Sequence, residues 1–199
     1  MMNFFLISIA IVLFVGCSTS VPPKVEYRLN PSLEIKNLSS LGCKEKSLKV
    51  AQAFSSNTLM SRDMSYGLGD SKQYIYSKSQ WSLTPNRAIT AKFLAELKKS
   101  KLFKSVQISK SRSSNDYILE INIIDFMQYF DETSSSSYSQ FVVSLTFIDT
   151  KTNRVFATET FKSKVNVTSL DADGGVDGLS KAFDDVLSQS DIWLSKVCK

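Results

Sequence analysis

The sequence predicts an α+β fold, a two-layer sandwich in which two helices cover one face of a mostly antiparallel sheet of five or six strands. Three observations predict it: apolar residues alternate through several separate stretches, two other stretches carry apolar residues at helical spacing, and the elements fall in the order β-β-β-α-β-β-β-β-α. Each helix has one stripe to bury, and a half-solvated sheet supplies the surface for it.

The elements follow in order. Leu48 to Phe54 reads as a first strand, Leu59 to Tyr66 as a second and Gln73 to Trp81 as a third, with Gly67-Leu68-Gly69-Asp70 as the intervening turn. Thr84-Pro85 opens a helix whose stripe is Ile89, Phe93, Leu94 and Leu97 and which ends near Ser100. Phe103 to Ile108 is the next strand. Tyr117, Leu119, Ile121 and Ile123 then share one face, with Glu120 and Asn122 on the other. A serine-rich loop over Asp131 to Ser139 precedes the alternating Phe141, Val143, Leu145 and Phe147, and Asp149 to Asn153 has the composition of a hairpin loop leading back through Val155 to about Val167. The last helix runs from about Asp177 to Lys196 on a stripe of Leu179, Phe183, Val186, Leu187, Trp193 and Leu194.

At 199 residues, with 43% hydrophobic and 22% charged residues, the chain suits one cored domain with a leader. It contains no histidine, which excludes the usual serine-histidine and cysteine-histidine relays and the common Cys/His zinc patterns. Ser134 to Ser137 lacks an activating base. Asp171 to Asp177 places aspartates on alternate positions, but the twelfth position is Ala182 rather than a bidentate glutamate, so helix capping is the better account than calcium. No GxxxxGK[ST] phosphate loop is present. The sequence therefore predicts a nonenzymatic protein without cofactor or metal.

Met1 to Gly16 carries no charged side chain and ends in Val15-Gly16-Cys17-Ser18. An apolar run too short for a comfortable span, closed by small or aliphatic residues and a cysteine, resembles a bacterial lipobox, with Cys17 the site of lipidation by acyl chains such as palmitate. The expected division is a signal peptide over 1–16, a tether and extended segment over 17–46, and one domain over 47–199. With Cys17 assigned to the anchor, Cys43 and Cys198 remain as an even pair, either a disulfide or two free thiols. Ser18 and Thr19 stand where an inner-membrane retention aspartate would, so the outer membrane facing the periplasm is expected, with the inner membrane's periplasmic face as the alternative.

Between Lys44 and Arg112 there are 14 Lys/Arg against 4 Asp/Glu, whereas Asp171 to Asp191 holds six aspartates and one lysine. Such a basic half is either a solubilising surface or one that meets anionic lipid or an acidic partner. Nucleic acid is disfavoured, since no binding motif accompanies it.

Several features in order resemble the ABC-type transport auxiliary lipoproteins, the group that includes the paraquat-inducible C lipoprotein. They are Tyr27-Arg28-Leu29 after the lipobox, Met64-Ser65-Tyr66, Ile75-Tyr76 followed by Trp81, Pro85 and the Ile89/Phe93/Leu97 helix, then Ser100, Phe103, Val106, Tyr117-Ile118-Leu119-Glu120 and Phe126. Departures are Ser82 and Leu83 after the tryptophan, and Gly67 where the family usually has arginine. The resemblance implies a noncatalytic accessory of a lipid transporter, energised by a separate ATPase. Its implied partner is a protein bearing the mammalian-cell-entry domain, with phospholipid as a further candidate ligand. A structural or assembly lipoprotein of the envelope without lipid cargo is the competing reading. Candidate contacts to partner or lipid are Met64, Tyr66, Tyr76 and Trp81, with Lys98 and Lys101 as steering charges; for Trp81, closing the core under the first helix is the better account and a partner anchor the alternative.

Overall fold

The structure, a computed structural model, describes residues 23–32 and 43–198. Its strands are β1 (Val25–Tyr27), β2 (Ser47–Val50), β3 (Phe54–Ser55), β4 (Asp63–Leu68), β5 (Lys72–Trp81), β6 (Ser105–Ile108), β7 (Tyr117–Phe130), β8 (Ser137–Asp149) and β9 (Arg154–Val167); the helices are α1 (Pro85–Ser100) and α2 (Ala172–Val197). A 3-10 turn, Asn57–Met60, links β3 to β4.

The expected layers are present, but the expected sheet is not. Among the described residues there are nine strands rather than five or six, and five of the eight strand pairings are parallel: β1 with β5, β2 with β6, and β2, β3 and β4 each with β7. The sheet is therefore mainly parallel by pairing, and the mostly antiparallel sheet read from the sequence is corrected. Antiparallel pairing is confined to the β4–β5 hairpin and the long meander β7–β8–β9. A half-wet alternation argues for antiparallel pairing because parallel sheets are usually covered on both faces. Here the parallel strands are short pieces laid end to end along one edge of β7, so they inherit the wet face of the meander. Period-two alternation reports which side chains are buried and carries no strand direction.

The sheet's inner face packs under the helices. Leu119, Ile121, Ile123 and Phe126 of β7 and Phe141, Val143, Leu145 and Phe147 of β8 are buried there, against Ile89, Phe93 and Leu97 of α1 and Leu179, Phe183, Val186, Leu187 and Leu194 of α2. A chain of rings crosses this core, Trp81–Phe126–Phe141–Phe183–Phe93, with successive centroids 5.7, 5.3, 5.2 and 5.5 Å apart. Such tilted and edge-on contacts add to the area each ring removes from water.

Helix α2 starts five residues before its expected beginning. Asp171 caps it by accepting from the Gly174 amide at 2.9 Å. Gly174 and Gly175 fall before the expected helix start, yet with Gly178 they lie in its first turns, where the helix is pressed against the sheet. A Cβ on Gly174 would lie 2.1 Å from the Ser169 carbonyl oxygen and 2.7 Å from Val167 Cγ1. In an open helix Gly→Ala stabilises by about 1 kcal/mol. Here the backbone oxygen cannot step aside, so overpacking of about 1–3 kcal/mol outweighs that gain, and Gly174→Ala is expected to lower the urea midpoint. A raised midpoint would show that α2 stands off the sheet.

The segment before β2 is partly docked. β1 lies beside β5 in register Val25↔Ser79 to Tyr27↔Trp81. Leu29 is buried, and the Ser32 amide and hydroxyl both donate to Asp184 Oδ2 at 2.9 Å, binding the segment to α2. Cys43 and Cys198 are joined at an S–S distance of 2.10 Å with Cα atoms 5.1 Å apart, so the end of α2 is fastened to the entry of β2.

Candidate functional site

The candidate contact residues do not form one patch. Met64 and Trp81 are core residues, and the Trp81 ring meets Phe126. Their burial follows from the strand pattern, since Trp81 ends β5 facing the helix layer. Tyr66 and Tyr76 are half-buried at the other end of the same layer. The Tyr66 ring is 5.5 Å from Tyr74, 4.6 Å from Tyr76 and 5.5 Å from Phe130. The Tyr76 hydroxyl donates to Gln128 Oε1 at 2.8 Å, and Gln128 Nε2 donates to Ser137 Oγ at 3.0 Å. Burial pushes the Tyr76 hydroxyl above the usual phenol range, with Tyr66 and Asp171 adding to the rise. It stays a neutral donor.

Lys98 and Lys101 are exposed at the C-terminal end of α1, where cations suit the helix dipole, and Lys101 closes the helix in the left-handed region at φ 55°. Tyr66 pairs with Gln128 near the end of β7, whereas α1 ends beside β6, which joins β2 against the beginning of β7. The tyrosine cluster and the lysines therefore occupy opposite ends of the molecule. Cys17 lies outside the described residues.

Sequence reasoning missed the sheet's outer face. Phe54 is 69% exposed and Ile124 55% exposed there. Two depressions flank them. One of about 400 Å³ is lined by Leu59, Ser65, Gln73, Asp125, Met127 and Tyr129 among others; the second, about 290 Å³, lies over Gln52, Phe54, Glu120, Asn122, Ser144 and Thr146. Asp125 Oδ2 accepts from the Tyr129 hydroxyl at 2.9 Å and from Gln140 Nε2 at 2.6 Å. Tyr129 stacks on Tyr138 at 5.2 Å, and Lys164 Nζ sits 3.5 Å from the Tyr138 ring centre. Burial, then the Asp125 charge, raise the Tyr129 hydroxyl well above its ordinary range. The signal for this face was Ile124, an apolar residue adjacent to Ile123 that breaks the alternation at a bulge between Ile123 and Asp125.

Among the described residues no group of three His, Cys, Asp or Glu side chains is placed to hold a metal, and no helix is long and apolar enough to cross a membrane. A polar, wet network on one face and a tyrosine cluster on the other suit contact with another molecule rather than bond-making.

The model of one family, ABC-type transport auxiliary lipoprotein component, matches residues 33–189. The chain belongs to this family. As a member, the auxiliary lipoprotein is a noncatalytic component of an ABC transport system, and the assignment is consistent with a periplasmic lipoprotein. No curated protein matches it. Solved structures share the fold: a protein from Xanthomonas campestris at 16% identity, covering 88% of this chain and 94% of its own, with TM-score 0.71; an uncharacterized protein at 14% identity, covering 86% and 99%, with TM-score 0.67; and a hypothetical protein from Chlamydia trachomatis at 9% identity, covering 77% and 98%, with TM-score 0.50. At Gly67 the auxiliary lipoprotein packs the Tyr129 ring so closely that a Cβ would lie 2.5 Å from it. The tyrosine fills the space a side chain would need.

Proposed function

We propose that the auxiliary lipoprotein serves a mammalian-cell-entry type ABC transporter of phospholipid, held by an acylated Cys17 at the outer membrane and facing the periplasm. Membership of the transport-auxiliary family over residues 33–189 carries this reading. The lipobox-like Val15-Gly16-Cys17 supports the anchor, and mass analysis of the mature chain tests it: acyl chains on Cys17 are expected, and an unmodified thiol excludes them. Density fractionation that recovers the chain wholly in the inner membrane overturns the outer-membrane placement.

The half-buried Tyr66 and Tyr76 and the exposed Lys98 and Lys101 are the proposed contacts. Met64 and Trp81 act through the fold that holds them. Crosslinked pull-down from membranes, with identification of the captured proteins and lipids, is expected to recover a mammalian-cell-entry protein together with phospholipid. Capture of envelope assembly proteins without lipid supports the structural-lipoprotein reading instead. Lys98→Glu with Lys101→Glu, measured against the captured partner, is expected to slow association at low salt and to differ little from wild type at high salt. Equal rates at every salt concentration exclude a steering role.

A further inference from the structure

The edge of the sheet formed by β5 and β1 combines unpaired backbone with exposed apolar side chains and cations. From Lys72 to Lys78 the side of β5 away from β4 has no partner strand among the described residues; β1 covers only Ser79 to Trp81. Along this line Tyr74, Ile75, Val25 and, just beyond, Leu83 each expose between 45% and 55% of their surface. Tyr74 and Ile75 point to opposite faces, since they pair with Tyr66 and Ser65, so apolar side chains straddle the edge. Lys72, Lys78 and Arg28 are exposed along it. Lys24 pairs with Asp63 at 3.8 Å, and Arg62 pairs with Glu26, which also accepts from Gln80 at 2.9 Å; Asp70 in the β4–β5 turn is a further exposed acid, and Asp173 lies beside Tyr27.

The chain reaches the domain at this edge. Six residues separate Cys17 from Lys24, and the seven steps between them span at most about 25 Å when fully extended. Pro23 lacks an amide donor, so it adds no donor along the free side of β5. Resting on the proposal that Cys17 is acylated, we infer that the β5–β1 edge lies on the headgroup layer of the bilayer that holds the anchor and is built for an anionic phospholipid surface. The tether joins the domain beside this edge and holds it within about 25 Å of the anchor. The aromatic and aliphatic side chains enter the interface while Arg28, Lys72 and Lys78 meet lipid phosphates. The domain then stands edge-on, with α1, α2 and the sheet's outer face turned to the periplasm.

The test uses the mature lipoprotein, purified from membranes and reconstituted in vesicles of phosphatidylethanolamine and phosphatidylglycerol whose acyl chains are brominated. Tyr74→Trp is expected to lose emission there relative to unbrominated vesicles, beyond the background of Trp81 and Trp193, and Lys72→Glu with Lys78→Glu is expected to relieve the loss. Val155→Trp, on the far edge strand β9, is expected to keep its emission. Equal loss at both positions, or none at 74 in a chain that floats with the vesicles, overturns the docked edge and leaves the anchor standing. A chain with unmodified Cys17 that does not float removes the anchor reading and this inference with it. Loss at 74 that appears only after a copurifying protein is stripped away assigns the edge to that protein and overturns the lipid assignment.

Discussion

Replacing Cys43 and Cys198 together by serine is expected to destabilise the molecule strongly. The bond closes 155 residues, and on the chain-entropy account a loop of that size is worth about 4–5 kcal/mol. That is a large share of the 5–15 kcal/mol by which a typical domain is stable. Both cysteines are buried, and Leu194 one turn earlier is part of the core, so α2 has other reasons to stay in place. The folded state should therefore keep its circular dichroism and lose mainly its resistance to denaturant. Equilibrium urea unfolding of the double variant against oxidised wild type measures the difference. Coincident curves would mean that the bond is not formed in the native chain, which alkylation of the wild type under denaturing, nonreducing conditions would then reveal as two free thiols.

Trp81→Ala is expected to cost about 3–5 kcal/mol, the range for deleting a large buried ring. The indole touches Phe126 at the end of the ring chain that reaches Phe93 on α1, so the cavity opens beneath the helix layer. Its backbone stays tied to Arg62, which accepts from the Trp81 amide at 2.7 Å and donates from Nε to the Trp81 carbonyl at 2.8 Å, so β5 cannot readily collapse into the space. Trp81→Phe retains most of the ring and should recover much of the loss. Partner binding, scored per folded molecule, should be unchanged in both variants. A Trp81→Ala protein that melts like wild type but no longer binds would show instead that the indole is a contact.

What the sequence disclosed and what it hid divide along physical lines. Helix α1 was legible from Thr84-Pro85 to Ser100 because its stripe and its starting proline are local signals. The meander was legible as alternation, although β7 continues to Phe130, well past Ile123, because the bulge at Ile124 shifts the pattern. Strand direction was not legible, because Leu48↔Tyr117 or Tyr66↔Gln128 depends on how the chain returns through α1 and β6. The start of α2 was misread because glycine normally weakens a helix, and here each glycine marks where the sheet comes too close for a side chain. For the candidate site, the residue types were right for contact, but Met64 and Trp81 carry the same apolar signature whether they face a core or a partner. Lys98 and Lys101 were legible as surface because a charged side chain is rarely buried unpaired.

The way β2, β3 and β4 share one edge of β7 also bears on the order in which the protein can be assembled. The meander closes through short hairpins, but Leu48 meets Tyr117 and Phe54 meets Asn122, so β2 and β3 each wait for almost seventy residues of chain before their β7 partner exists. Sequence-distant pairings of this kind are the slow part of folding. A chain made from its amino terminus therefore carries the segment around Leu48, Val50 and Ala53 bare until the meander is complete, and that segment is where a holding chaperone has the longest time to act.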